Sequence, residues 1–169
     1  MKNQKLRKLI MAALLAALVY VATTIIRIPT PTGGYLNLGD CFVLMSGWLL
    51  GPLYGFAAGG IGSMLVDLLG GYFQYVPGTF LIKGAMALAA ALIYKSMGRK
   101  NIALVISAVV GEVIMVGGYY LYESTICGYG FMGAVAGVPG NCIQGVAGLV
   151  IGLILMAVVR STKLDQKLL

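Results

Sequence analysis

Histidine is absent from this chain, and acids are nearly so: Asp40, Asp67, Glu112, Glu123 and Asp165 are the only five. Without histidine there is no His-based triad, no haem held through His and no HExxH metal site. With so few acids, scattered along the chain, no Asp/Glu cluster suggests a metal-dependent transferase. Glu112 and Glu123 would stand about 16 Å apart along a helix, too far for a glycosidase pair. Cysteine is also sparse. Cys41, Cys127 and Cys142 have no metal-like spacing and read as small apolar packing residues. No phosphate loop and no nucleotide-binding module can be found. The expectation is therefore a protein that is not an enzyme and carries no metal or cofactor.

Apolar residues are what the chain has in abundance. They make up 60% of its 169 residues, charged ones make up 10%, and the mean hydropathy is +0.95. That balance belongs to a membrane protein. The length suits six spans of ~20 residues with short connections, forming one membrane domain over residues 1–169 with no second domain beside it. The first apolar stretch lacks a small-residue cleavage site and more spans follow, so it reads as a span rather than a signal peptide. The spans fall at about 9–26, a short 41–50, then 53–69, 78–94, 102–122 and 138–159. Between them, Arg27-Ile28-Pro29-Thr30-Pro31-Thr32-Gly33-Gly34 forbids a helix until about Asn37, and Gly51-Pro52 marks a tight turn.

The net charge of +7 raises the question of nucleic acid, but its placement answers it. Lys2, Lys5, Arg7 and Lys8 precede the first span; Lys95, Arg99 and Lys100 lie between the fourth and fifth; Arg160, Lys163 and Lys167 follow the sixth. Six crossings put all three groups on one side, which the positive-inside rule makes cytoplasmic, with both termini there. Only Arg27 and Lys83 are left over. Loops 27–38, 70–77 and 123–131 are then external.

The polar residues gather toward that outer side. Glu112, Val116, Tyr119 and Glu123 share one helical face at about 100° per residue. A carboxylate at membrane depth costs at least ~2.5 kcal/mol, so this face should meet protein, water or a ligand. Asn141 and Gln144 begin a stripe on the last span that continues through Gly145, Gly148 and Gly152. Tyr35 and Asn37 give the first loop hydrogen-bonding reach, and Asp40 stands where a helix N-terminus favours its charge. The second loop, Gly70-Gly71-Tyr72-Phe73-Gln74-Tyr75-Val76-Pro77, is either an interfacial aromatic belt or a lid. Lys83, a little over one turn into the fourth span, is expected either to pair with Asp67 across the hairpin or to join the polar site. The candidate substrate-binding set is thus Tyr35, Asn37, Gln74, Tyr75, Lys83, Glu112, Tyr119, Glu123, Asn141 and Gln144. Within it Glu112 is expected to touch the ligand, and Glu123 to sit at a water-screened rim and matter less. On the first helix, Ala12, Ala13, Ala16 and Ala17 form overlapping Ala-x-x-x-Ala spacings, suited to packing in the bundle or to docking another membrane subunit.

Taken in order, these pieces resemble a known family. The Ala-rich first helix is followed by Gly34-Tyr35-Leu36-Asn37-Leu38-Gly39-Asp40, Leu50-Gly51-Pro52-Leu53-Tyr54-Gly55 and Asp67-Leu68-Leu69-Gly70-Gly71-Tyr72. Pro77-Gly78-Thr79-Phe80-Leu81-Ile82-Lys83-Gly84, the Glu112–Glu123 face and Pro139-Gly140-Asn141-Cys142-Ile143-Gln144-Gly145 complete the set. The chain is similar over nearly its whole length to the substrate-binding S-components of energy-coupling factor (ECF) transporters, and within them to the riboflavin-type subfamily. The resemblance implies an all-α bundle in the bacterial cell membrane that captures a small vitamin or precursor from outside. It further implies docking through the first helix onto a membrane T-component carrying two ABC ATPases, where ATP is hydrolysed. Carboxylates, amides and tyrosines suit a small heterocycle with N–H or O–H donors: a vitamin B6 form, a thiamine precursor such as an aminopyrimidine, or riboflavin. The other readings are a stand-alone small-solute transporter or channel and, more remotely, an intramembrane enzyme.

Overall fold

A computed structural model describes residues 2–162; Lys163 and Lys167, counted in the charge reading, lie outside the described residues. Helix α1 (Lys2–Ile25) runs until Arg27-Ile28-Pro29 stops it. The proline-rich loop then folds into a small antiparallel hairpin, β1 (Ile28–Pro29) against β2 (Tyr35–Leu36), with Ile28 opposite Leu36. Gly33 takes φ +74° at its tip, where the Gly33 and Gly34 backbone groups both bond to Thr30. The hairpin is the one departure from an all-helical chain among the described residues, and the proline and glycine spacing gave no alternation from which to foresee it.

The remaining helices are α2 (Asp40–Leu50), α3 (Pro52–Gly70), α4 (Val76–Ser96), α5 (Asn101–Thr125), α6 (Gly130–Ala134) and α7 (Val138–Ser161), with one 3-10 turn over Val135–Gly137. Five segments are long and apolar enough to cross a membrane; α2, the short second span, is not among them. At 11 residues it is only about 16 Å long, against ~30 Å of hydrocarbon. It is instead the centre of the bundle. Every α2 residue except Phe42 is buried, and α1, α3, α4 and α7 all pack on it.

Lipid tails are as apolar as leucine, so what holds such a bundle is close packing and internal hydrogen bonding. Small residues make the closest approaches. A Cβ on Gly47 of α2 would lie 2.2 Å from the Ala87 carbonyl oxygen of α4, and one on Gly62 of α3 would lie 2.6 Å from the Ala16 carbonyl oxygen of α1. Both neighbours are backbone and cannot yield. Trp48 meanwhile satisfies its indole N–H by donating to Ser107 Oγ on α5, at 2.9 Å.

The ends of the bundle differ in charge. Arg160 at the end of α7 donates to Asn101, to the Tyr94 hydroxyl and to the Arg99 carbonyl, while Lys8, Lys95 and Arg99 come together from α1, the last turn of α4 and the α4–α5 connection. The basic segments separated in sequence thus share one end, as the positive-inside reading requires. Asp67 and Glu123 lie toward the opposite end, beneath the hairpin and the 71–75 turn.

Candidate ligand-binding site

Lys83 on α4 is 2% exposed and forms an ion pair with Asp40, which is fully buried at the start of α2. The expected Lys83–Asp67 pair is therefore replaced by Lys83–Asp40. Both acids stand at outer helix ends, and spacing along the chain could not choose between them. The fold does, because it sets the start of α2 against Lys83 on α4 and leaves Asp67, at the end of α3, to the Tyr35 hydroxyl.

Around that pair runs a connected polar network. Gln144 Nε2 on α7 donates to the other Asp40 oxygen at 2.7 Å. Its Oε1 accepts from the Asn37 backbone N–H at 2.9 Å and from Asn37 Nδ2 at 3.3 Å. Asn37 in turn accepts from the Gly39 N–H at 2.9 Å. Four parts of the chain, α4, α2, α7 and the segment after the hairpin, are tied at one depth.

Two more links close the outer side. Tyr35 donates to Asp67 Oδ1 at 2.5 Å and packs on Tyr72 with ring centroids 4.8 Å apart, and the Arg27 guanidinium lies 5.5 Å from the Tyr35 ring centre. Burial first, then the Asp67 charge, push the Tyr35 phenol well above its ordinary value, so it remains a donor. On the other side, Thr32 Oγ1 donates to Glu123 Oε1 at 2.8 Å. The Tyr75 hydroxyl lies 2.7 Å from the Thr32 carbonyl oxygen and 3.1 Å from Glu123 Oε1. The second loop thus divides its aromatic residues. Tyr75 is buried in the site, whereas Phe73 is 66% exposed.

These groups enclose a space of about 30 Å³. That is room for a water or two, so a heterocycle enters only by displacing side chains. Eight of the ten residues expected from the sequence line it: Tyr35, Asn37, Tyr75, Lys83, Tyr119, Glu123, Asn141 and Gln144. Thr23, Ser63, Asp67 and Thr79 join them without having been expected. A hydroxyl among apolar residues carries no distinct sequence signal. Asp67 did carry one, as one of five acids, but the Lys83 pairing had absorbed it. Tyr119 bonds Thr79 at 3.0 Å and sets its ring 5.4 Å from the Lys83 ammonium.

Two expected residues stand elsewhere. The Gln74 side chain is exposed, and only its backbone takes part, accepting from the Tyr122 hydroxyl at 2.6 Å. Glu112 shares a helical face with Tyr119 and Glu123 but lies deeper, where the glycines of α7 approach. A Cβ at Gly148 would sit 2.9 Å from Glu112 Oε1 and one at Gly145 would sit 3.3 Å from Oε2. Glu112 therefore abuts α7 and lines a groove between α5 and α7 together with Cys142, not the outer cavity. Glu123, expected at a water-screened rim, is 3% exposed and does line the cavity. The cysteines also divide: Cys41 is buried as expected, Cys127 is half-buried and Cys142 is exposed. No group of metal-ligating side chains occurs among the described residues.

The alanine face separates in the same way. Ala12 is buried and Ala16 meets α3 at Gly62, while Ala13 and Ala17 are exposed on α1. Of the four expected docking residues, Ala12 and Ala16 pack the bundle itself.

Several buried oxygens in and around the cavity have no partner: Thr23 Oγ1, Asp67 Oδ2 and Glu123 Oε2. Buried polar groups are normally paired, so such atoms mark places where something else bonds. A membrane bundle closed around unpaired acceptors, with tyrosines beside them, defines a class: a membrane protein that binds a small polar solute. Similarity to known proteins narrows the class to one family. Residues 3–161 match the model of the ECF-type riboflavin transporter S component, and the chain belongs to that family. It is 28% identical to the thiamine precursor transporter HmpT of Lactococcus lactis subsp. cremoris (strain MG1363), over 96% of this chain and 93% of that one. It is 38% identical to an uncharacterized protein of Pyrococcus woesei, over 79% of this chain and 88% of that one. The fold matches the solved S component of a bacterial ECF transporter with a TM-score of 0.70 and 20% identity, covering 96% of this chain and 98% of the other. The chain is thus a multi-pass membrane subunit of a vitamin-type importer, a transport component rather than an enzyme.

Proposed function

We propose that this S component captures a thiamine-precursor-like heterocycle, an aminopyrimidine, in the outer cavity between the hairpin, α3, α4, α5 and α7. The carrying observation is that two acids lining this cavity each keep one unpartnered carboxylate oxygen, Asp67 Oδ2 and Glu123 Oε2; the two Glu112 oxygens, also unpartnered, belong to a residue outside its lining. Both are acceptors when ionised, and an aminopyrimidine offers an exocyclic amine with donors of its own. Tyr75 and Tyr119 supply aromatic surface, their ring centroids 6.5 Å apart. The similarity to HmpT over nearly the whole chain supports the same ligand class. The test is capture without transport. Protein purified without any ATPase should retain an aminopyrimidine detectable by native mass spectrometry, and should bind the added compound. Retention of riboflavin or a vitamin B6 form instead, with no aminopyrimidine binding, would overturn the ligand assignment.

In this reading the protein works as a single membrane unit of five long helices around the short α2, alongside a T-component and two ABC ATPases. Ala13 and Ala17 offer the close-approach face of α1, since Ala12 and Ala16 are already in use. Ala13→Trp or Ala17→Trp should leave ligand affinity unchanged in the isolated subunit. Uptake in cells carrying the complete importer should fall about tenfold or more, because only close helix approach to the partner is lost. Normal uptake by both variants would place the docking face elsewhere.

A further inference from the structure

The cytoplasmic end of the bundle holds a second cavity, of about 170 Å³, between α1, the α2–α3 turn and the end of α4. Lys8, Lys95, Arg99 and Tyr94 supply its polar lining, and Trp48 and Leu50 lie on its apolar side. Asp40, Asp67, Glu112 and Glu123 are all elsewhere, and Lys83–Asp40 is the one ion pair among the described residues. Three cations from two helices and a connection therefore converge on one cavity, and none of the carboxylates among the described residues stands opposite them.

Arg99 is held there in an unusual way. Its φ is +58°, the only positive value outside glycine among the described residues, and it follows Gly98 at +68°. Left-handed backbone suits glycine and is rare for a residue with a side chain. The strained turn is fastened from both sides. The Arg99 N–H donates to the Tyr94 carbonyl at 2.9 Å, and Arg160 donates to the Arg99 carbonyl at 2.7 Å while its guanidinium covers the Tyr94 ring. Arg99 lines the cavity from a position where glycine would fold more easily, and such strain concentrates at functional sites.

We propose that this cavity binds the phosphate of an anionic phospholipid of the cytoplasmic leaflet. The guanidinium fork of Arg99 suits two phosphate oxygens, and Lys8 and Lys95 add point charges. Basic pockets between spans at this boundary meet an anionic lipid surface, and the half-buried Pro52 of the α2–α3 turn borders the cavity on the side where the apolar part of the lipid would lie. A free phosphate shares the chemistry but lacks the apolar part.

The experiment uses the full chain in nanodiscs of phosphatidylcholine, alone or with added phosphatidylglycerol, and reads the thermal unfolding midpoint. Wild type should be several degrees more stable with phosphatidylglycerol, as for any ligand that binds only the folded state. Arg99→Gly relieves the turn and removes the fork. Its midpoint in phosphatidylcholine should rise by about 2–4 °C, and the phosphatidylglycerol increment should disappear. Lys8→Gln/Lys95→Gln should also lose the increment, whereas Arg7→Gln, outside the cavity, should keep it. Equal wild-type midpoints in the two lipids would overturn the proposal, as would an increment that survives both cavity variants. Loss of the increment in Arg7→Gln would mean diffuse surface charge. The same increment from inorganic phosphate in phosphatidylcholine would make the ligand a free anion, and either result also overturns the lipid site.

Discussion

Lys83→Met should be among the most damaging single substitutions in the chain. Lys83 is 2% exposed, and its ion-pair partner is Asp40. Removing the ammonium leaves a carboxylate at the centre of the bundle with Gln144 as its one remaining side-chain donor. Glu112 makes matters worse, because Asp40 and Glu112 flank the same glycine, Gly148. Breaking a buried pair from one side costs about 3–5 kcal/mol, whereas replacing both charges is often nearly neutral. The folded-to-unfolded ratio of Lys83→Met should therefore drop by roughly two to three and a half orders of magnitude. The measurement is the yield and thermal midpoint of the purified subunit without ligand. Lys83→Met/Asp40→Asn should recover most of the loss, because an asparagine oxygen can still accept from Gln144. A single variant as stable as wild type, or a double variant no better than the single, would show that the pair does not hold the bundle.

That pair also shows how far the sequence could be read. Hydropathy and the placement of lysines and arginines were enough for the spans and for which end is basic, because both depend on composition over long windows. The short 41–50 span was legible too. Its central position was not: that follows from three-dimensional packing, in which Gly47 lets α4 come close. Eight cavity residues could be named because polar side chains are rare in apolar helices and each stands out. Which of them share a depth was harder. A helical face is a direction without a height, so Glu112 and Glu123 looked equivalent in azimuth although glycines of α7 cover one and the hairpin covers the other. The Gly33 turn and the two-residue strands were too short to leave a periodic signal.

The substitutions with the largest expected effect on binding follow from that difference in depth. Glu123 Oε1 is occupied by Thr32 and lies near the Tyr75 hydroxyl, while Oε2 has no partner; Asp67 has the same division, with Oδ1 taken by Tyr35 and Oδ2 unpartnered. Each acid thus anchors a closing segment with one oxygen and keeps the other unpartnered at the edge of the cavity, Glu123 Oε2 beside Gly137, where a Cβ would come within 2.9 Å of it. Glu123→Gln and Asp67→Asn keep shape and one acceptor but remove the charge. A charge-assisted hydrogen bond contributes about 1.5–3 kcal/mol, so each should weaken ligand binding by roughly 10- to 150-fold. The two acids stand on different helices, α5 and α3, but share the ligand, so the double variant should bind more weakly than either single one, with a loss that departs from the product of the two factors. Phe73→Ala, on the exposed side of the same loop, should bind as wild type does. Glu112→Gln should also stay near wild-type affinity, since its carboxylate is buried against Gly145 and Gly148 of α7 and the residue does not line the cavity. Affinities are best measured by titration calorimetry on the purified subunit, each variant first checked for an unchanged thermal midpoint. If Glu112→Gln lost affinity while Glu123→Gln and Asp67→Asn bound normally, the ligand would lie between α5 and α7. The unpartnered oxygens of the outer cavity would then belong to the water that fills it.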